Sequence, residues 1–332
     1  MHTHKNTTLE LIKLFASYMV VFIHVQFPGK LGTAADATAR FAVPLFFLIS
    51  GYFSYQITCQ KIKLRIKHIV TLIILATLSY NFYNILPSLL CGNLNQIGLY
   101  FKQYFDTVSF IKLLVFNVSI SVVHLWYLLA ITYVYVISYI VTVLRIPEKT
   151  IFTISFLLLI LHVLLGEVLS VFGIVLPIFL LRNFALMGIP FFYLGQFFRK
   201  HENKLRELPN YVFIIAITIG LIGTILSRYF FGKNELCVGS LFILFAIVVF
   251  FIKYSDVTYP PILHSLAGCS TYIYIFHFMV SSSIKKIYKL LCIDLDSSIL
   301  LGYGHPIIVC FVSTLLAYAA IKLINKLSHN KN

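Results

Sequence analysis

LELIKLFASYMVVFIHVQF (residues 9–27), GKLGTAADATAR (29–40) and FAVPLFFLISGYFSY (41–55) follow one another near the start of the chain. The first and third stretches are apolar enough to lie in a bilayer, with His24 near the end of one and Arg40 at the threshold of the other. An ionisable side chain at membrane depth is costly and faces protein or a water-filled cavity, so both are candidate site residues. The middle stretch reads as a short connection between two spans.

The rest of the chain has the same character. Its 332 residues are 60% hydrophobic and 11% charged, with a mean hydropathy of +0.92, which excludes a soluble globular protein of ordinary composition. A membrane barrel would show weakly alternating segments of about 10 residues, whereas this chain repeats apolar runs near the ~20 residues that cross hydrocarbon as helix. The expectation is an all-α polytopic membrane protein forming a single membrane-embedded domain over 1–332. About ten spans are expected, at 9–27, 41–58, 69–90, 124–144, 151–172, 184–198, 211–231, 236–252, 262–284 and 303–324. The segment between Cys91 and Val123 is too polar to span and reads as an interfacial or re-entrant piece. The first run is long enough to span and lacks a small-residue cleavage pattern, so it is expected to remain as the first helix.

Orientation follows from Lys and Arg, which cytoplasmic loops retain during insertion. Starting the chain inside puts the larger share of the 26 Lys and Arg on that side, including Lys5, Lys61, Lys63, Arg65, Lys67 and Lys331. Both termini are therefore expected in the cytoplasm. The formal net charge of +15 is spread over short loops rather than gathered on one face, so topology accounts for it and a nucleic-acid partner is not expected. The run KIKLRIK at 61–67 reads as an inner-leaflet anchor facing anionic headgroups, with a phosphate-bearing donor as the minority reading. Six cysteines show no CxxC pair and no zinc spacing, and no metal site is expected.

Lys13 and His24 are 11 residues apart, which on a helix is about 20° after whole turns and a rise of ~16 Å. They share one face, and Glu10 is placed to pair with Lys13. His124 opens the fourth span from the outer side, Arg182 precedes a helix interrupted by Gly188 and Pro190, and His277 lies past the middle of an outward-running span. His24, Arg40, His124, Arg182 and His277 thus fall in the outer half of five spans, and a polar chamber explains that convergence. Glu167 is placed to pair with Arg182 across a short outer hairpin, and His162 reads as a packing residue.

The ordered set KLFASYMVVFIH (13–24), RFAVPLFFLISGY (40–52), HLWYLLAI (124–131), RNFALMGIPFFYLG (182–195) and STYIYIFH (270–277) resembles the integral-membrane acyltransferase 3 family over nearly the full chain. Within that family it is similar to stand-alone O-acetyltransferases of lipid-linked surface glycans, such as enterobacterial common antigen. The resemblance implies transfer of an acyl group, acetyl above all, from acyl-CoA to a hydroxyl of a lipid-linked or membrane-associated saccharide in the bacterial inner membrane. Acetyl-CoA is then a co-substrate, and no permanently bound cofactor is implied. His24 is assigned to the essential first-span histidine and Arg40 and Ser50 to the second-span motif, with His124, Trp126 and His277 also matched. Imidazole suits the base this chemistry needs, so His24 and His277 are the expected catalytic residues, with Glu10, Lys13, Arg40, Ser50, His124, Trp126 and Arg182 expected around substrate or donor. Glu10 and Lys13 stand where family members commonly carry Asp and Arg, so a bidentate arginine contact is lost there. The chain ends at Asn332 with no fused esterase-like domain, so a relay to an attached domain is not expected. The alternative is a transporter or flippase for a small molecule such as an amino acid, since modules resembling this family are also fused to racemases in glycopeptide resistance. No internal repeat relates the first five spans to the last five, which weighs against it.

Single-cysteine variants test the orientation directly. Lys63→Cys is expected to be labelled only after the membrane is permeabilised, and Lys233→Cys in intact cells. The reverse pattern moves His24 and His277 to the inner half.

Overall fold

The computed structural model describes residues 7–255, 257, 259–293 and 299–329. Lys5 and Lys331, and with them both chain ends assigned to the cytoplasm, lie outside the described residues. Along the chain run α1 (Thr7–His24), α2 (Gly29–Thr38), α3 (Ala42–Tyr52), α4 (Cys59–Leu90), α5 (Leu94–Tyr104), α6 (Thr107–Phe116), α7 (Trp126–Val143), α8 (Glu148–Val163), α9 (Leu169–Val171), α10 (Ile178–Leu181), α11 (Ile189–Lys200), α12 (Glu202–Arg206), α13 (Asn210–Phe231), α14 (Val238–Lys253), α15 (Pro261–Ala267), α16 (Ser270–Leu290) and α17 (Ile299–His329). No strand occurs among the described residues. The protein is an all-α polytopic membrane protein.

Among the described residues, seven stretches are long and apolar enough to cross a membrane: Thr7–His24, Gly29–Tyr52, Cys59–Leu90, Val123–Val143, Glu148–Val171, Asn210–Phe231 and Ile299–Lys326. Helices also occupy the three other expected spans. These are α14 with 16 residues, α16 with 21, and α11 with the π turn Phe184–Gly188 before it. On α4, Ile74, Leu75 and Leu78 are more than half exposed, as expected of side chains whose solvent is lipid. α5 and α6 bury no residue and are too short to span, in keeping with an interfacial piece between Cys91 and Val123.

One boundary is corrected. The stretch 29–40, read as a connection, is helical: α2 continues through the 3-10 turn Ala39–Phe41 into α3, and α3 ends at Tyr52 rather than at 58. Pro44 explains the 3-10 turn, because a proline lacks the N–H that would bond the carbonyl of Arg40 and the helix must tighten just before it.

Two compact units are present, one made of Met1–Phe46 with His201–Asn332 and the other of Phe47–Lys200, the boundary falling inside α3. In the first, α1 packs on α16 and α17, and α13 and α14 form a hairpin. Leu14 and Val21 of α1 with Val25 just past its end, Ile273 and Val280 of α16, and Val309 and Ala317 of α17 make one buried apolar seam. Spacings of seven residues, as from Leu14 to Val21 and from Ile273 to Val280, return to the same helix face, which is why α1 and α16 each present a continuous stripe. The α13–α14 crossing is close because Gly220 and Gly239 face each other: a Cβ on Gly239 would lie 2.6 Å from the Gly220 carbonyl oxygen.

In the second unit α4 packs on α7, and α8 on α11. The second half of α3 meets α11 through Gly51 and Gly195, where helix association in lipid relies on small residues and backbone approach. A Cβ on Gly51 would lie 1.7 Å from the Phe192 carbonyl oxygen, and one on Gly195 would lie 1.9 Å from that of Leu48. Asn183 caps the π turn, its side-chain oxygen accepting from Ala185 and Leu186 N–H at 2.9 and 2.8 Å, and Asn117 Oδ1 accepts from Phe184 N–H at 2.8 Å.

Since the obstacles at Gly195 are backbone atoms that cannot rotate away, Gly195→Ala is expected to cost about 1–3 kcal/mol or more. Thermal denaturation in detergent checks this against Gly98→Ala, a site with nothing within 4 Å of an added Cβ, which is expected to unfold like the parent or slightly later.

Candidate functional site

α1 ends at His24, a half-buried residue. Its ring centroid lies 5.4 Å from that of His277, with 34° between the ring planes, and 6.1 Å from Phe278. His277 is 0% exposed. Its Nδ1 sits 2.8 Å from the Tyr274 carbonyl oxygen and 3.2 Å from that of Ile273. A carbonyl only accepts, so this geometry assigns the proton to Nδ1 and the lone pair to Nε2. The helix backbone thereby holds one tautomer of His277 next to His24. Glu10 and Lys13 lie toward the other end of α1 and pair at 2.5 Å, as their spacing requires.

Arg40 is 4% exposed and sits in the 3-10 turn between α2 and α3. Its guanidinium donates to Asp36, one turn back, through Nη2, and to Glu235 Oε1 through Nη1 at 3.1 Å. Arg228 Nη2 lies 3.9 Å from the other Asp36 oxygen. Two cations thus face two carboxylates, and within this cluster the Arg40 Nε–H and Asp36 Oδ2 are buried with no hydrogen-bond partner among the described residues. Expected around substrate or donor, Arg40 has both terminal nitrogens committed to carboxylates of the protein.

The second unit holds the other expected residues. Ser50 hydrogen-bonds with Tyr127. Trp126, 8% exposed, packs with its ring centroid 6.3 Å from that of Phe47. His124 is 2% exposed and meets the Tyr80 ring edge-on at 5.0 Å. Arg182 caps the C-terminus of α10, and Glu167 lies in the π turn Leu164–Val168. Their neighbours Leu181 and Gly166 come together, with a Cβ on Gly166 falling 3.8 Å from Leu181 Cδ1. His162 is 0% exposed and its Nδ1 reaches the Leu186 carbonyl at 3.0 Å, in keeping with a packing role.

In the same unit the KIKLRIK run is divided in its contacts. Arg65 turns inward, donating to Ser54 Oγ at 2.6 Å, Tyr135 hydroxyl at 3.1 Å and the Phe53 carbonyl at 3.0 Å. Lys61, Lys63 and Lys67 remain exposed, with Lys63 over the Tyr139 ring.

Of the five residues expected in one chamber, His24, Arg40 and His277 belong to the first unit and His124 and Arg182 to the second. Within the first, His24 and His277 are brought together. Asp36, Glu235, Ser281 and His305 were not singled out from the sequence. Asp36 had a usable signal, since it stands four residues before Arg40, but reading 29–40 as a connection hid the helical spacing. Glu235 had none, because it is 195 residues from Arg40.

A family model for the acyltransferase domain, Acyltransferase 3, matches residues 6–322. Among curated proteins and among solved structures, none matches the chain.

Asp36→Ala is expected to destabilise the protein by about 3–5 kcal/mol, because it strands a buried guanidinium. Breaking the exposed Lys200–Glu148 pair with Glu148→Ala is expected to cost less than about 1 kcal/mol. Thermal unfolding of both variants in one detergent measures the contrast.

Proposed function

The chain belongs to the acyltransferase 3 family, and on that premise we propose that it moves an acetyl group from acetyl-CoA to a hydroxyl of a lipid-linked saccharide in the bacterial inner membrane. Acyl transfer itself comes with the family. The observation that carries the finer reading is the His24–His277 pair, two imidazoles 5.4 Å apart in the interior of a membrane protein. Chemistry on a hydroxyl needs a group that takes a proton near neutral pH, and imidazole has the side-chain pKa closest to it. In this reading a neutral imidazole takes the acceptor's hydroxyl proton as the oxygen attacks the thioester carbonyl. The tetrahedral intermediate then collapses and expels the CoA thiolate. His24, being half-buried, is the member that meets the acceptor, and His277 sets its position from behind.

Arg40 enters as a positioning residue. Its charge holds α2 and α3 at the level of the 3-10 turn through two carboxylates, and its Nε–H is one donor for an oxyanion. The exposed lysines of KIKLRIK present positive charge outside the apolar part of α4, suited to anionic headgroups or to a phosphate-bearing molecule. A family defined by acyl transfer leaves the transporter reading without an observation in its favour.

Purified protein incubated with labelled acetyl-CoA and lipid-linked sugars is expected to label the lipid-linked fraction. His24→Ala and His24→Gln are expected to lower the rate by about 10² to 10⁴ while leaving yield and membrane insertion near normal, since a glutamine keeps the size but takes no proton. A Gln variant that turns over like the parent makes His24 a structural residue and passes the base to His277. Arg40→Lys is expected to fold and to lose most activity, because an ammonium cannot reproduce the planar fork between Asp36 and Glu235.

A further inference from the structure

His305 lies on α17 and is 5% exposed, with Pro306 following it inside the helix. Proline has no N–H, so the carbonyl one turn back, at Gly302, loses its helical donor. A buried histidine beside an interrupted backbone ladder is an expensive pairing in a membrane-spanning helix, and such residues mark ion and proton paths. His305 Nε2 is 3.3 Å from Ser281 Oγ, and both residues are buried. Its Nδ1 is buried without a hydrogen-bond partner among the described residues.

Ser281 stands four residues beyond His277 on α16, so the two project from one face a single turn apart. α16 packs against both α1 and α17. His24, His277, Ser281 and His305 therefore form a polar file through the apolar seam of the first unit, advancing along α16 toward its exposed Lys285 end. The charged and titratable groups beside His305 are Lys285 and Tyr288 of α16. α1 also packs on α17 and contributes Tyr18, which bonds Thr314 at 2.9 Å, and His24. α15 meets α17 far down the helix, where Gly268 faces Ile321.

We infer that His305 is the proton exit of this site, carrying the proton of the acceptor hydroxyl from the His24–His277 pair through Ser281 toward water at the Lys285 end of α16. The inference rests on the reading of that pair as the base. The imidazolium gives its proton to Ser281 Oγ while the Ser281 hydroxyl proton passes to His305 Nε2. His305 then releases its Nδ1 proton to a water from the Lys285 end of α16, which leaves the proton on Nε2, and a turn of the ring or exchange with that water returns it to Nδ1 before the next cycle. The expelled CoA thiolate takes its own proton from solvent, since a thiol of pKa about 8.5 is protonated at neutral pH. Ester and free thiol are the products, and no charge accumulates.

The test uses the full chain in liposomes with labelled acetyl-CoA and a polyprenyl-diphosphate N-acetylglucosamine, and also with water as acceptor, which draws on the same base. His305→Gln and Ser281→Ala are expected to lower kcat roughly 10-fold or more at unchanged KM. In His305→Ala the rate is expected to rise with imidazole concentration and with pH, because buffer or hydroxide must then collect the proton, whereas the parent ignores buffer. A His305→Gln variant with parental kcat, or a loss that no buffer concentration relieves, overturns the inference. His24→Gln run alongside separates the two readings. If it is inactive while His305→Gln is parental, the exit alone fails; if His24→Gln and His277→Gln are both fully active, the assignment of the base to the pair fails and the exit with it.

Discussion

Inside a membrane-spanning helix a guanidinium has no water to meet it, and Arg40 is held instead by Asp36 and Glu235. Much of the first unit is arranged around that need. Pro44 tightens the helix into a 3-10 turn at the level of Arg40, and Asp36 sits one turn behind it. Glu235 comes from the connection between α13 and α14, so its position depends on the close crossing that Gly220 and Gly239 allow. Arg228, near the end of α13, balances the second carboxylate oxygen. A quartet of this kind adds little net stability, because desolvation offsets attraction; its effect is to make any other register leave a charge buried and alone.

The histidine pair depends on a different constraint. An imidazole useful as a base must present a lone pair, and the ring alone does not choose which nitrogen carries it. In His277 the carbonyls of Tyr274 and Ile273 choose, by accepting from Nδ1. His162 makes the same kind of bond to the Leu186 carbonyl, yet that carbonyl belongs to a π turn, where the α-helical ladder is broken and a side chain fills the gap. Similar hydrogen bonds thus hold His162 in one unit and His277 in the other, and the second imidazole beside His277 is what sets it apart.

Much of this was legible in the chain. Apolar runs near 20 residues give membrane helices because backbone hydrogen bonds reach only four residues and each segment must satisfy its own. The pairing of Glu10 with Lys13 followed from helical spacing for the same local reason. The helix at 29–40 is not legible from hydropathy, because its alanines, threonines and glycines carry no apolar stripe. The outer-half grouping of five polar residues followed from topology, but topology gives depth and not neighbours.

What the sequence by itself determined is therefore the helical membrane class, the approximate spans, the acyltransferase resemblance and a short set of costly polar residues. Tertiary structure alone decided which of those meet. His24 faces His277 from near the opposite end of the chain, Arg40 takes Glu235 from 195 residues away, and His305 bonds Ser281 across two helices. The physical reason is one of range. Helix formation is written in residues three and four apart, whereas the choice of partner depends on how glycines, prolines and apolar stripes of distant segments let their backbones approach, and no local pattern encodes that.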